Sequence, residues 1–153
     1  MNSMPFTKMH GLGNCFVLMD DREDQVSSQH DLSQLAIYSC NRNYGLGADG
    51  LILLKRGTTN PLRMRIFNED GSEAEMCGNG IRCLTRFAAD QGILSSREMA
   101  QETLIDTLAG VIKVQSLPNG EVKVDMGRPT LNNADVQSPV GAEPPIQVRS
   151  ENR

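Results

Sequence analysis

The chain has 153 residues, a net charge of −4, 4% aromatic residues and no tryptophan, enough for one domain with a real core or one domain and the beginning of another. Mild acidity without a basic cluster or aromatic platform argues against nucleic acid as a partner. No apolar run approaches membrane-spanning length, the N-terminus lacks a secretory layout, and four cysteines without framework spacing suit a reducing cytoplasm.

In chain order, residues 6–9 read as a short opening strand, with Pro5 at its edge where a missing N–H does no harm. His10-Gly11-Leu12-Gly13-Asn14 is a turn signal, and 15–19 is a buried apolar strand. Residues 20–29 form a charged, polar loop. Asp31 is placed to cap a helix, with Gln34 in the capping-box position and Leu32, Leu35 and Ala36 on the apolar face. The helix ends in Asn41-Arg42-Asn43, and Tyr44-Gly45-Leu46-Gly47-Ala48-Asp49-Gly50 runs into a strand at 51–55. A dinucleotide or P-loop site needs strand, glycine loop, then helix; this loop has the opposite neighbours, which rejects nucleotide binding. After a turn at 57–61, residues 63–68 alternate, with Met64 and Ile66 on one face.

That strand delivers the chain to Met76-Cys77-Gly78-Asn79-Gly80, behind which Ile81, Leu84, Phe87 and Ala88 recur at helical spacing until Gly92. A cysteine at a helix mouth feels the positive end of the macrodipole, which favours thiolate over thiol. Gly78, Asn79 and Gly80 add little bulk, so backbone N–H groups stay open to an anion such as a carboxylate. Most free cysteines are simply small buried hydrophobes, and that reading suits Cys40 and Cys83. Cys77 is set among glycine and asparagine, a setting that a core cysteine does not need. The two histidines, His10 and His30, are not at finger spacing with any cysteine pair, so a metal is not expected.

Beyond Gly92 a loop leads to a strand at 103–107, and 111–117 and 122–126 alternate around Pro118-Asn119-Gly120 as a hairpin. From Gly127 onward Pro129, Pro139, Pro144 and Pro145, with many Asn, Gln and Ser, give a weakly specified tail in which only 146–149 resembles a strand. The expected architecture is α+β: about seven strands and two substantial helices, with the sheet packed on the helix that starts at Cys77.

Three separated segments also match one family in order. They are Lys8-Met9-His10-Gly11-Leu12-Gly13-Asn14, Gly45-Leu46-Gly47-Ala48-Asp49-Gly50, and Phe67-Asn68-Glu69-Asp70-Gly71-Ser72 through Met76-Cys77-Gly78-Asn79-Gly80-Ile81-Arg82-Cys83. Together with Val124-Asp125-Met126-Gly127-Arg128-Pro129, they resemble the amino-terminal half of diaminopimelate epimerase. The resemblance implies a curved, mixed or antiparallel sheet wrapped around a central helix, one of two similar domains with the substrate between them. It implies a cofactor-free epimerase converting LL-2,6-diaminopimelate and its meso isomer, in lysine and peptidoglycan precursor synthesis. One cysteine from each domain faces the substrate α-carbon: one thiolate removes the proton and the other thiol supplies one to the opposite face. Cys77 matches the first-domain cysteine, and Asn14, Asn68, Gly78 and Asn79 match substrate-binding positions. Two departures stand out: Gly50 replaces a glutamine that in some members touches the distal end of the substrate, and Cys15 replaces a common aspartate.

The family's second cysteine lies in its carboxyl half, and no cysteine follows Cys83 here. The resemblance therefore divides the chain into an amino-terminal epimerase domain, 1–129, and a stub, 130–153, that begins an absent second domain. The expected partners are the small-molecule substrate and the missing carboxyl-terminal half, and an exposed inter-domain face favours self-association as a homodimer. Two alternatives accompany this reading: a related cofactor-independent racemase acting on histidine or proline, and a non-catalytic half-domain that binds an amino acid.

Overall fold

The computed structural model describes residues 4–127. Its elements in order are β1 (Thr7–Gly11), β2 (Asn14–Asp20), α1 (Leu32–Cys40), β3 (Gly50–Arg56), β4 (Leu62–Asn68), β5 (Glu73–Ala74), α2 (Gly78–Asp90), α3 (Ser96–Ala100), β6 (Thr103–Thr107), β7 (Gly110–Ser116) and β8 (Val122–Asp125). The strands form one sheet in the order β1-β2-β3-β4-β6-β7-β8, with β5 also paired to β4. The β2/β3 and β4/β6 pairs are parallel and the rest antiparallel. Strands at both ends of the sheet, β1 and β8, touch α2, as do β2, β3, β4 and β7, so the sheet curls around that helix. This is the expected α+β domain with a curved mixed sheet around a central helix.

The three central strands are buried on both faces, and strict alternation assigns each side chain to one of two cores. Phe16, Leu18, Ile52, Leu54, Leu62, Met64 and Ile66 face α2, where they meet Ile81, Leu84, Phe87 and Ala88. Val17, Met19, Leu51, Leu53 and Phe67 face the other way, onto Leu32, Ala36 and Cys40 of α1. On that second face Arg65 stacks over Phe67, 5.0 Å from the ring centre, and pairs bidentately with Glu73 at 2.7 and 2.8 Å.

Two details differ from the sequence expectation. Residues between Gly92 and β6 contain a short helix, α3, whose Ser95 and Glu98 form a complete capping box. A two-residue strand, β5, follows the turn after β4. At α1, Asp31 caps the helix as expected, accepting the Gln34 N–H at 3.1 Å. At the far end of α2, Gly92 adopts φ +65° and closes the helix as expected. Arg128, Pro129, the strand-like 146–149 and the proposed stub 130–153 lie outside the described residues. Among the described residues no helix is long and apolar enough to cross a membrane.

Candidate active site

The β-sheet registers bring the predicted binding residues to one place. Phe16 pairs with Gly50, and Gly50 with Asn68. Asn14 lies two residues before Phe16 on β2, so Asn14, Gly50 and Asn68 stand at the same end of three adjacent strands. Phe16, Ile52 and Ile66 all face α2, and period-two alternation places Asn14, Gly50 and Asn68 on that same face.

The N-terminus of α2 meets this end of the sheet. A Cβ on Gly80 would lie 3.1 Å from the Cδ1 atoms of both Ile52 and Ile66, so glycine lets the first turn settle onto β3 and β4. A Cβ on Gly11 would lie 3.2 Å from the carbonyl oxygen of Asn79, which shows how closely the β1–β2 hairpin approaches the same turn. That hairpin turns through Leu12 and Gly13, both at positive φ, and leaves Leu12 87% exposed.

Cys77 is the N-cap of α2. Its extended backbone offers its carbonyl to the Ile81 N–H at 2.8 Å, and its Sγ accepts the Gly80 N–H at 3.4 Å. The preceding two amides, Gly78 and Asn79 N–H, meet no acceptor among the described residues. A half-buried sulfur thus sits beside two donors that are unpaired among the described residues, at the positive end of the helix dipole. Met126, just after β8, reaches toward Gly78, its Sδ 3.5 Å from where a Cβ would be.

The other cysteines are differently placed. Cys83 is buried inside α2, where burial and then the charge of Cys77 push its thiol up. Cys40 is buried at the end of α1, and burial, with Glu69 and Asp49 nearby, pushes it up to about 11. Cys15 is half-buried, with its Sγ 3.7 Å from the Gly13 carbonyl oxygen.

The asparagines are less free than the sequence reading takes them to be. Asn68 donates from Nδ2 to Ser72 Oγ at 2.9 Å, and Ser72 in turn donates to Asp70 at 2.6 Å. Those bonds from Ser72 hold the Asp70 carboxyl below the usual carboxylate range. Asn79 receives Arg82 Nη2 on its Oδ1, which leaves its Nδ2 facing no acceptor among the described residues. Asn14 makes no side-chain hydrogen bond among the described residues. The arrangement therefore presents amide groups from Asn14 and Asn79, a carbonyl from Asn68, two backbone donors and one sulfur. Arg82, Ser72 and Asp70 support them, and sequence reasoning assigned these three no role. Arg82 was detectable as the i+3 neighbour of Asn79 on a helix.

The family model for diaminopimelate epimerase matches residues 6–132. The chain is 45% identical over 148 residues to the diaminopimelate epimerase of Carboxydothermus hydrogenoformans, covering 95% of this chain and 53% of that protein. It is 46% identical over 157 residues to that of Moorella thermoacetica, covering 97% of this chain and 54% of that one. The chain thus spans about half the length of the curated relatives it matches. Among solved structures, a phenazine biosynthesis protein of the PhzF family from Bacillus anthracis superposes with TM-score 0.59 at 20% identity, over 80% of this chain and 39% of that one. A hydroxyproline epimerase from Agrobacterium vitis, solved with trans-4-hydroxy-L-proline bound, gives TM-score 0.59 at 16% identity, over 79% of this chain and 40% of that one. At those identities the likeness concerns the fold.

Proposed function

This chain belongs to the diaminopimelate epimerase family, and from that premise we propose that it supplies one half of a cofactor-independent epimerase site acting on 2,6-diaminopimelate. The observation that carries the reading is Cys77 at the mouth of α2, with the unpaired Gly78 and Asn79 N–H groups beside it. In this reading residues 1–129 are the amino-terminal domain and 130–153 lead toward a second domain that completes the cleft.

An amino-acid α-proton is weakly acidic, so removing it requires fixed donors where negative charge develops on the carboxylate. The Gly78 and Asn79 amides are donors of that kind, already oriented by the helix before any substrate arrives. Cys77 is one of two thiol groups that act on opposite faces of the α-carbon. One thiolate takes the α-proton, the electron pair delocalises into the carboxylate, and the opposing thiol returns a proton to the other face. Each turnover leaves the two sulfurs with exchanged protonation states. Asn14, Asn68 and Asn79 orient the ammonium and carboxylate groups through neutral amides, which add no mobile charge beside the thiolate.

Inversion needs both groups in one site closed to water, so the chain alone is not expected to turn over. The test is incubation of the purified chain with LL-diaminopimelate in heavy water, following α-deuterium incorporation and meso product. A separately expressed carboxyl-terminal half is then added. Turnover that arises only on mixing supports the half-site reading. Robust turnover by the chain alone refutes it, and so does a reconstituted enzyme that is indifferent to Cys77→Ala.

A further inference from the structure

The Gly45–Gly50 motif contains a carboxylate that the mechanism above does not use. Asp49 immediately precedes Gly50, and its own N–H donates to the Cys15 carbonyl at 2.8 Å. Its Oδ2 accepts the Cys15 N–H at 2.7 Å, and its Oδ1 accepts Arg42 Nη2 at 3.0 Å. The parallel ladder between β2 and β3 begins only at Phe16 opposite Gly50, so the Cys15 N–H lies just ahead of it and takes the Asp49 carboxylate as its acceptor in place of a strand carbonyl. Gly47, at φ +66° with its N–H tied back to Ser39 at 3.2 Å, turns the chain just before this point. The Cys15 N–H belongs to the peptide that joins it to Asn14. One side chain therefore fixes the peptide plane from which the Asn14 amide projects toward α2.

The geometry assigns Asp49 as a positioning residue for Asn14: it clamps Cys15 from both sides, its carboxylate on the N–H of the Asn14–Cys15 peptide and its own N–H on the Cys15 carbonyl, and is itself held by Arg42. This assignment rests on the half-site reading, in which Asn14 touches substrate. Asp49 touches no reacting atom and acts only through its neighbour. The Arg42 pair is more exposed than the Cys15 contact, so the hydrogen bond to Cys15 matters more than the charge. Asparagine at position 49 retains an acceptor for Cys15 and should preserve the clamp, whereas alanine removes it.

Two measurements test this. On the chain itself, amide hydrogen exchange at Cys15 should be slow in the parent and in Asp49→Asn, and fast in Asp49→Ala. The Asn14 side-chain amide resonance should move in Asp49→Ala only. In the enzyme reconstituted with its carboxyl-terminal half, Asp49→Ala should raise KM about tenfold and leave kcat within about twofold, as expected for one lost hydrogen bond to a charged substrate group. Asp49→Asn should stay within about threefold of the parent, since its Cys15 bond survives. Asn14→Ala should give a similar KM, and the double variant Asp49→Ala/Asn14→Ala should be no worse than Asn14→Ala alone. Multiplicative effects in the double variant, or unchanged Cys15 exchange in Asp49→Ala, overturn the assignment and leave the half-site reading standing. An Asn14→Ala enzyme with parental KM removes Asn14 from the site and overturns the assignment, whereas the half-site reading falls only by its own tests, turnover by the chain alone or a Cys77→Ala without effect.

Discussion

Strands β2, β3 and β4 share a core along their length, yet their two ends are built on opposite principles. At the far end Asp21 is fully buried and accepts the Val26 N–H at 2.7 Å and Lys55 Nζ at 2.9 Å. Lys55 also donates to Ser27 Oγ at 2.7 Å and to Asp24. Asp20 and Arg22 pair bidentately beside them, at 2.8 and 2.9 Å. These charged groups are matched within the chain. At the near end the Gly78 and Asn79 N–H groups, the Asn14 amide and the Asn68 carbonyl have no partner among the described residues. The open groups sit on residues that are exposed or half-buried, where water can reach them, and they are the ones the proposed substrate site would use.

The sharpest way to break this contrast is Cys77→Ala. In the reconstituted enzyme it should lower epimerisation by about 10²–10⁴-fold, the span of a lost proton-transfer group, with an unchanged circular dichroism spectrum. Asp21→Ala should do the reverse. Removing one member of a buried ion pair leaves Lys55 without its buried partner and should cost about 3 kcal/mol in urea denaturation. The rate of Cys77 alkylation in the folded chain should not change. If Asp21→Ala altered Cys77 reactivity while leaving stability intact, the two ends would not be separable as described.

Next in size are the amides. Asn68→Ala and Asn79→Ala should each lower kcat/KM about ten- to hundredfold, or about 1.5–3 kcal/mol, and weaken folding by less. Asn68 also ties its own turn through Ser72, so its stability loss should exceed that of Asn79. Full activity in both variants would make the amides structural. A smaller effect separates the thiols: iodoacetamide near neutral pH, followed by peptide mapping, should label Cys77 before Cys83 or Cys40. Burial holds those two thiols in the unreactive protonated form.

The smallest effect is a titration. Burial alone raises the Asp21 carboxyl, but bonds from Ser27, Lys55 and Val26 outweigh it and the net shift is downward. A folded-state value below the unfolded one stabilises the fold above the unfolded carboxylate range, and that stability is lost as pH falls through the folded value. Lys55 runs the opposite way: burial alone lowers it, the bonds to Asp24 and Asp21 outweigh that, and the net shift is upward. Its contribution is present below the unfolded lysine range and lost as pH rises through the folded value. Stability should therefore fall at both extremes in the parent chain, and Asp21→Asn should flatten the acid limb in pH-dependent urea melts.

Much of this architecture was legible because its signals are local. An apolar run marked the strand at 15–19, a glycine-rich loop led into 51–55, alternation marked 63–68, and the run Ile81, Leu84, Phe87, Ala88 marked α2 and its Cys77 cap. The elements that escaped are those too short to show a period. β5 has two residues, and α3 has five, although its Ser95-x-x-Glu98 box was in view. The β6–β7 turn through Leu108 and Ala109 lacks the usual turn residues in its centre, and Gly110 at φ +109° follows them. The site divides the same way. Cys77 was readable from its neighbours, whereas the contacts of Asp49 with Cys15 and of Lys55 with Asp21 join residues 34 apart in the chain. No local pattern encodes such pairings, because they follow from which strands become neighbours.

The order of strands across the sheet bears on how such a domain is made. Apart from β5, each strand lies beside its predecessor in the chain, and α2 comes before the last three strands. A polypeptide leaving the ribosome can thus extend one growing edge, lay α2 on the inner surface, and only then curl β6, β7 and β8 over it. No later strand must be threaded between earlier ones, which keeps most pairings close in sequence and limits the time that unpaired edges are exposed. Cys77 is synthesised before the strands that enclose its helix, so its surroundings mature last, with the arrival of β8 and Met126 beside Gly78.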